Sequence, residues 1–224
     1  MTLPEEVVRA ALDARDAIRY DEVVALADVA SVVALHQGCC DLYRQPSLEQ
    51  FARDRPDLQG DQLRRVFEAT CRHIADSQKY IVNTIPGVHT RDELLAVDPS
   101  DFLQRAMEKD DTRCDIIRRL RERGRPVREE LLGRPEGVSY EMLGHVPDGP
   151  HDVHVLYREV IRANDEPEYR GEPQLVTARR QSDGSWRLVA NRIDFLESRG
   201  SRVTYLDPEF AELYEDELRG PREA

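Results

Sequence analysis

A chain of 224 residues with 44 acidic and 32 basic side chains carries a formal net charge of −12; this disfavours general binding to nucleic acid or to an anionic membrane surface, since both repel an acidic protein. Hydrophobic residues at 40% supply enough material for a real core, in one large domain or one domain with a sizeable insertion. No run approaches the roughly 20 apolar residues of a membrane span, and the start Met1-Thr2-Leu3-Pro4-Glu5-Glu6 lacks the basic and apolar regions of a signal peptide, so the expected address is the cytoplasm.

Thr2 and Glu5 form a capping-box pattern with Pro4 in the first turn, and Val7, Val8, Ala11, Leu12, Ala14 and Ile18 follow at helical spacing. Asp21 opens a second short helix through Val23, Val24 and Leu26. Asp28 caps a third in which Val32, Leu35, Cys39, Leu42 and Tyr43 share a face, although Gly38 weakens it and Val32-Val33 could instead begin a strand. From Pro46 to about Pro135 the pattern stays helical. The longest helix is expected over Gln62 to Ile81, with Leu63, Val66, Phe67, Ile74 and Ile81 on one side. A minor helix around Arg91 to Leu95 follows, then one started by Asp98-Pro99 that holds Phe102, Leu103, Ala106 and Met107. A further helix, Asp111 to Arg123, ends at Gly124 and Pro126.

After Pro135-Glu136-Gly137 the texture changes to strand. Val138, Tyr140 and Met142 alternate with polar neighbours, and Pro147-Asp148-Gly149-Pro150 breaks the run. Three more extended stretches lie between Asp152 and Asp194: Val153-Val155-Tyr157, Leu175 to Arg180, and Ser185 to Ile193. They are separated by Asn164, Asp165 and Pro167 and by the tight hairpin signal Ser182-Asp183-Gly184. Asp207-Pro208 introduces an acidic C-terminal helix with Phe210, Ala211, Leu213, Tyr214 and Leu218.

The helix pair reading PEEVVRAALDARDAIRYDEVVALAD and the sheet reading VHVLYREV and VTARRQSDGSWRLVANRIDF, with Asp183-Gly184-Ser185-Trp186 at the last hairpin, resemble the cone-shaped α+β superfamily of nuclear transport factor two and the SnoaL-like proteins. The resemblance covers about residues 3 to 30 and 137 to 196. It implies N-terminal helices lying in the concave face of a curved antiparallel sheet, and a homodimer through the outer sheet face. The superfamily usually passes from the second helix into a strand and a short third helix within a few dozen residues, whereas here about ninety mostly helical residues intervene, part of them expected to replace the third helix and the rest to cover the mouth of the cone or form a partner surface. One domain is therefore expected: N-terminal helices over 1–45, a helical insertion over 46–135, the sheet over 136–196 and the C-terminal helix over 197–224. The superfamily hosts isomerases, dehydratases, cyclases, transport factors and accessory domains, so the fold alone does not assign an activity.

Candidate chemistry is sparse. His36, Cys39 and Cys40, with Cys71 and His73, are soft ligands, but adjacent cysteines on a helix do not converge easily on one metal, and no Cys-x-x-Cys spacing occurs. Together with Cys114, these cysteines are too few and scattered for a disulfide framework and read as reduced thiols. His151 and His154 lie three apart at the start of a strand and so face opposite sides of the sheet. Glu159 shares a strand face with Val153, Val155 and Tyr157. If that face is the concave one, Glu159 is an acid in an apolar cleft suited to proton transfer, joined by Tyr140, Asn191 and His36. If it lies near the sheet edge instead, it pairs with an arginine such as Arg179 or Arg187. The basic run from Ile116 to Arg128 reads as a solvated helix face or as a contact for phosphates or an acidic partner. Phosphate-loop, nucleophile-elbow and paired-carboxylate patterns are absent, and the sequence implies no cofactor. The expected function is a binding or protein-interaction module, a homodimer with a protein partner or small-molecule ligand. The alternative is an isomerase or hydratase with Glu159 or His154 as acid or base and Tyr140, Tyr157 or Asn191 orienting the substrate.

Overall fold

The computed structural model describes residues 3–83, 85–124, 127, 137–162, 168–193 and 195–196. The cap expected at Thr2, the break at Asn164, Asp165 and Pro167, the end of the basic run beyond Gly124 except Val127, and the C-terminal helix lie outside them. Among the described residues the chain is mixed α+β, with eight α-helices followed by an open five-stranded antiparallel sheet.

Helix α1 (Pro4–Asp16) carries Glu5 and Glu6 at its positive end and buries Val7, Val8, Ala11, Leu12 and Ala14. It ends in a two-bond reversal: the Arg19 amide donates to Ala14 O (2.8 Å) and the Ile18 amide to Arg15 O (2.9 Å). This places Ile18 in the left-handed region with φ 58°, where glycine is the usual occupant. Helix α2 (Tyr20–Ala25) leads to a one-residue parallel bridge in which the Asp28 amide donates to Leu188 O (2.7 Å) and the Leu188 amide to Leu26 O (2.9 Å). In α3 (Val29–Asp41) the Asp28 carboxylate caps the Ser31 amide at 2.9 Å, and the helix runs through Val32-Val33 and Gly38.

Helices α4 (Leu48–Asp54) and α5 (Gly60–Ser77) pack on each other through an edge contact of Phe51 with Phe67 at 5.6 Å. Strongly amphipathic as it is, α5 contains no buried residue; Leu63, Val66, Phe67 and Ile74 are half-buried. The helix expected to reach Ile81 stops at Ser77. A 3₁₀ segment, Gln78–Asn83, takes over and turns Ile81 into the core. Helices α6 (Arg91–Ala96), α7 (Pro99–Asp110) and α8 (Thr112–Glu122) start at side-chain caps from Thr90, Asp98 and Asp111.

Strands β1 (Val138–Asp148), β2 (Asp152–Ile161), β4 (Gln174–Arg180) and β5 (Trp186–Leu188) lie in that order, with the two-residue β3 (Tyr169–Arg170) also paired to β2. A bulge between Met142 and Gly144 shifts the β1–β2 register, so Tyr140 opposes Glu159 and His145 opposes Val155. The expected strand from Ser185 to Ile193 is only three residues long; the Val189 amide still donates to Thr177 O in β4 (2.9 Å), and the Ala190 amide then turns to Ser31 Oγ at 2.9 Å. At the last hairpin Gly184 has φ 83°, and Asp183 accepts from both the amide and the hydroxyl of Ser185. Helix α1 touches β1, β2, β4 and β5. Between them Val8, Ala11 and Leu12 join Val155, Tyr157, Val176, Ala178 and Leu188 in the core. Full burial of each large apolar side chain there contributes about 1.5–3 kcal/mol.

Candidate functional site

Strand alternation puts Val153, Val155, Tyr157 and Glu159 on the face of β2 that α1 covers, and all four are buried. Tyr140 reaches the same place from β1, its ring meeting that of Tyr157 edge-on at 6.0 Å. The end of α1 supplies the charges. The Tyr140 hydroxyl donates to Asp16 Oδ2 (2.9 Å) and Oδ1 (3.1 Å), and Arg15 donates to Asp16 Oδ1 through Nη2 (2.8 Å) and Nε (3.1 Å). Arg15 also donates to the Tyr140 hydroxyl and to Leu196 O, and its guanidinium lies 5.6 Å from the Tyr140 ring centroid. Burial raises the Tyr140 phenol pKa against the opposing pull of Arg15, and Asp16 and Glu159 raise it further. The same groups act on Tyr157, again with burial foremost. Burial works against the Arg15 charge, but Tyr140, Asp16 and Tyr157 outweigh it and raise its pKa. The cluster therefore holds two neutral phenols beside a permanently charged guanidinium.

A second polar group backs the first. Arg113 of α8 donates to Asp16 O (2.7 Å) and Arg15 O (3.1 Å), tying down the last carbonyls of α1, and pairs with Asp111 at 2.7 Å. The Tyr20 hydroxyl donates to Asp111 Oδ2 at 2.6 Å. Burial opposes the Asp111 charge, but hydrogen bonds and charge from Arg113 hold its carboxyl below the usual range; burial and Asp111 together push the Tyr20 phenol up. None of Arg15, Asp16, Asp111 and Arg113 stood out in the sequence. One sign was available: Asp16 continues the Val8–Leu12 stripe at i+4, an acid on an apolar face at the helix end the dipole disfavours for it.

Of the residues singled out from sequence, Glu159, Tyr157 and Tyr140 are brought together, whereas His36, Asn191 and His154 are elsewhere. His36 Nε2 lies 2.9 Å from Leu94 O with its ring 4.9 Å from Phe102, in the seam of α3, α6 and α7. Asn191 is exposed beside a groove of about 410 Å³ along β4. His154 faces the other side of the sheet, as the alternation requires, between Thr177 Oγ1 and Asp148 Oδ2, each at 3.1 Å. Neither arginine proposed for Glu159 reaches it. Arg179 is held by Asp152 across the strand pair, with two contacts of 2.8 Å, and also meets Asp28; Arg187 donates to Ala25 O. Burial raises the thiol pKa of both Cys39 and Cys40. Among the described residues no group of three or more His, Cys, Asp or Glu side chains is placed to hold a metal ion, and no helix is long and apolar enough to cross a membrane.

The face of the sheet away from α1 is different in kind. Val146 beside His154 and Leu175 beside Leu156 lie two residues apart along β2, and Val146 and Leu175 are 54% and 52% exposed. An ion-pair group flanks them: Arg158 with Glu141 at 2.7 Å, and Arg170 with Glu168 at 2.7 Å and Glu141 at 3.7 Å. Comparison with protein-family models, curated proteins and solved structures finds no match to this chain.

Proposed function

We propose that the chain is an interaction module of the cone-shaped α+β type, in which α1 fills the concave side of the sheet and the opposite face binds a second copy of the chain. One observation carries this reading: the polar side chains that a substrate would need are buried, with the Tyr140 hydroxyl already bonded to Asp16 and Arg15, while the apolar side chains left in water lie on the far side. Tyr140, Tyr157 and Glu159 are 6%, 1% and 8% exposed, against more than half for Val146 and Leu175. Exposed apolar groups ringed by ion pairs are the usual character of a protein-binding surface. The half-buried apolar side of α5 and the exposed Leu48 give the insertion a second surface for a protein partner.

The competing reading, a small-molecule isomerase or hydratase, draws on the convergence of Glu159, Tyr140 and Tyr157 with Asp16. It requires a substrate to enter where α1 now packs. Solution mass across a range of concentrations, measured for the wild type and for Leu175→Asp, separates the two when run beside a thermal-shift screen of metabolites. Self-association abolished by Leu175→Asp supports the module. A metabolite-induced shift abolished by Glu159→Gln, with no self-association, supports the enzyme.

A further inference from the structure

Strand β4 has one edge that the sheet leaves unfinished. Toward β2 it is paired along its whole length, from Gln174 opposite Tyr157 to Arg179 opposite Asp152, whereas β5 covers only Ala178 to Arg180 on the other side. Past β5 the Val189 amide donates to Thr177 O (2.9 Å), but the Val189 carbonyl accepts from the Asn191 amide (3.1 Å) rather than from β4, and the ladder stops. Backbone groups of alternate residues in an antiparallel strand point to opposite sides. Thr177 points toward Val189, so the Leu175 amide and carbonyl also point away from β2, and among the described residues neither has a partner. Pro173 bounds the open stretch. The Gln174 amide faces β2, so the trans peptide turns the Pro173 carbonyl outward, and proline has no amide to add.

Along the edge the order is therefore acceptor, donor, acceptor: Pro173 O, Leu175 N–H and Leu175 O. They border the groove of about 410 Å³, which Val189, Asn191, Arg192 and Phe195 also line. Val176 and Phe195 bring buried apolar side chains to it, and Leu175 an exposed one. Alternating main-chain donors and acceptors at strand spacing are matched by another extended chain, which adds a strand to the sheet. Glu172 and Arg192 at the groove are of opposite sign, so the net charge of −12 decides the flanks and favours basic residues over acidic ones.

We infer that the open edge of β4 takes an extended apolar segment of a protein partner, antiparallel to β4 and with a basic flank. The partner residue opposite Leu175 exchanges two hydrogen bonds with it, and the residue two further on donates to Pro173 O. Their side chains stand on the outer face with Leu175, and the side chain between them turns to the buried side with Val176. Hydrogen exchange and isothermal titration of the full chain test this. In the free chain the Leu175 amide should exchange at least about tenfold faster than the Val176 amide, which points to β2. Saturating acetyl-Ser-Val-Thr-Val-Lys-Lys-amide should slow the Leu175 amide at least about tenfold. The same peptide N-methylated at both valines keeps its side chains but loses the two donors, and should bind at least about tenfold more weakly. Leu175→Pro removes the edge amide without breaking a bond inside the chain, and should bind the peptide about fivefold more weakly than Leu175→Ala, which keeps that amide. The methylated peptide keeps the test decisive if the proline perturbs folding. Equal binding of the two peptides, or no saturable binding, would overturn the inference. So would a Leu175 amide as protected as Val176 in the free chain, since another part of the chain or a second copy would then occupy the edge.

Discussion

Removing one oxygen, with Tyr140→Phe, tests whether the buried cluster belongs to the fold. The hydroxyl donates to both oxygens of Asp16 at 2.9 and 3.1 Å, and the phenyl ring left behind keeps its contact with Tyr157. Asp16 is not orphaned, because Arg15 still donates to it at 2.8 and 3.1 Å. A hydrogen bond to a charged acceptor contributes about 1.5–3 kcal/mol net. With one small void and no unpaired carboxylate, the expected cost is about 2 kcal/mol. At this chain length each kcal/mol lowers the melting temperature by about 2–4 °C, so a fall of about 4–8 °C is expected. Urea unfolding followed by the fluorescence of Trp186, the single tryptophan, gives the free energy directly, and the slope with denaturant should not change. Asp16→Ala should cost more, about 3–5 kcal/mol, because it leaves the Arg15 guanidinium buried without its carboxylate. A Tyr140→Phe protein within about 0.5 kcal/mol of wild type would refute the reasoning. The hydroxyl would then be idle in the fold and free to serve a ligand.

Three further outcomes follow from the same geometry. Asp111 has its folded-state pKa depressed, chiefly by Arg113 against the cost of burial, so its contribution is complete above the ordinary carboxylate range, near pH 4, and is lost as pH falls through the folded value. Asp111→Asn, which retains a cap for α8, should therefore flatten the acid limb of the stability profile below about pH 5, read by urea midpoints at each pH. Gly137→Ala would place a Cβ 2.1 Å from Arg162 O at a backbone φ of 85°, so it should destabilise the chain by more than about 1 kcal/mol and speed hydrogen exchange at the Arg162 amide, which is bonded to Gly137 O. Leu175→Asp, on an exposed side chain, should leave the unfolding free energy within about 0.5 kcal/mol of wild type while abolishing self-association in sedimentation.

What the sequence made legible was local. Asp28 and Asp98 cap helices where short-range chemistry says they should, Gly184 takes the positive φ its turn needs, and the alternation groups Val153, Val155, Tyr157 and Glu159 on one face, which in the structure is buried. What it hid depends on distant partners. Arg113 meets the end of α1 across 97 residues, and Tyr140 meets Asp16 across 124, and no spacing rule reaches that far. The end of β5 also depends on a distant partner, since beyond Val189, still bonded to Thr177 O, the Ala190 amide turns to Ser31 Oγ. Likewise the apolar spacing to Ile81 is real, but Ile81 is buried whereas α5 buries nothing, so the helix gives way to a 3₁₀ turn between them. Arg179 was a plausible partner for Glu159 by charge, yet β-sheet register placed Asp152 directly opposite it.

The most direct test of the interaction-module reading is the solution mass of the wild-type chain from low to high micromolar concentration, with Leu175→Asp measured alongside. The account predicts a species of twice the 25.8 kDa chain mass for the wild type and a single-chain mass for the variant. A wild type that stays at one chain mass throughout, or a Leu175→Asp variant that still doubles, would contradict the assignment of the outer sheet face as the binding surface.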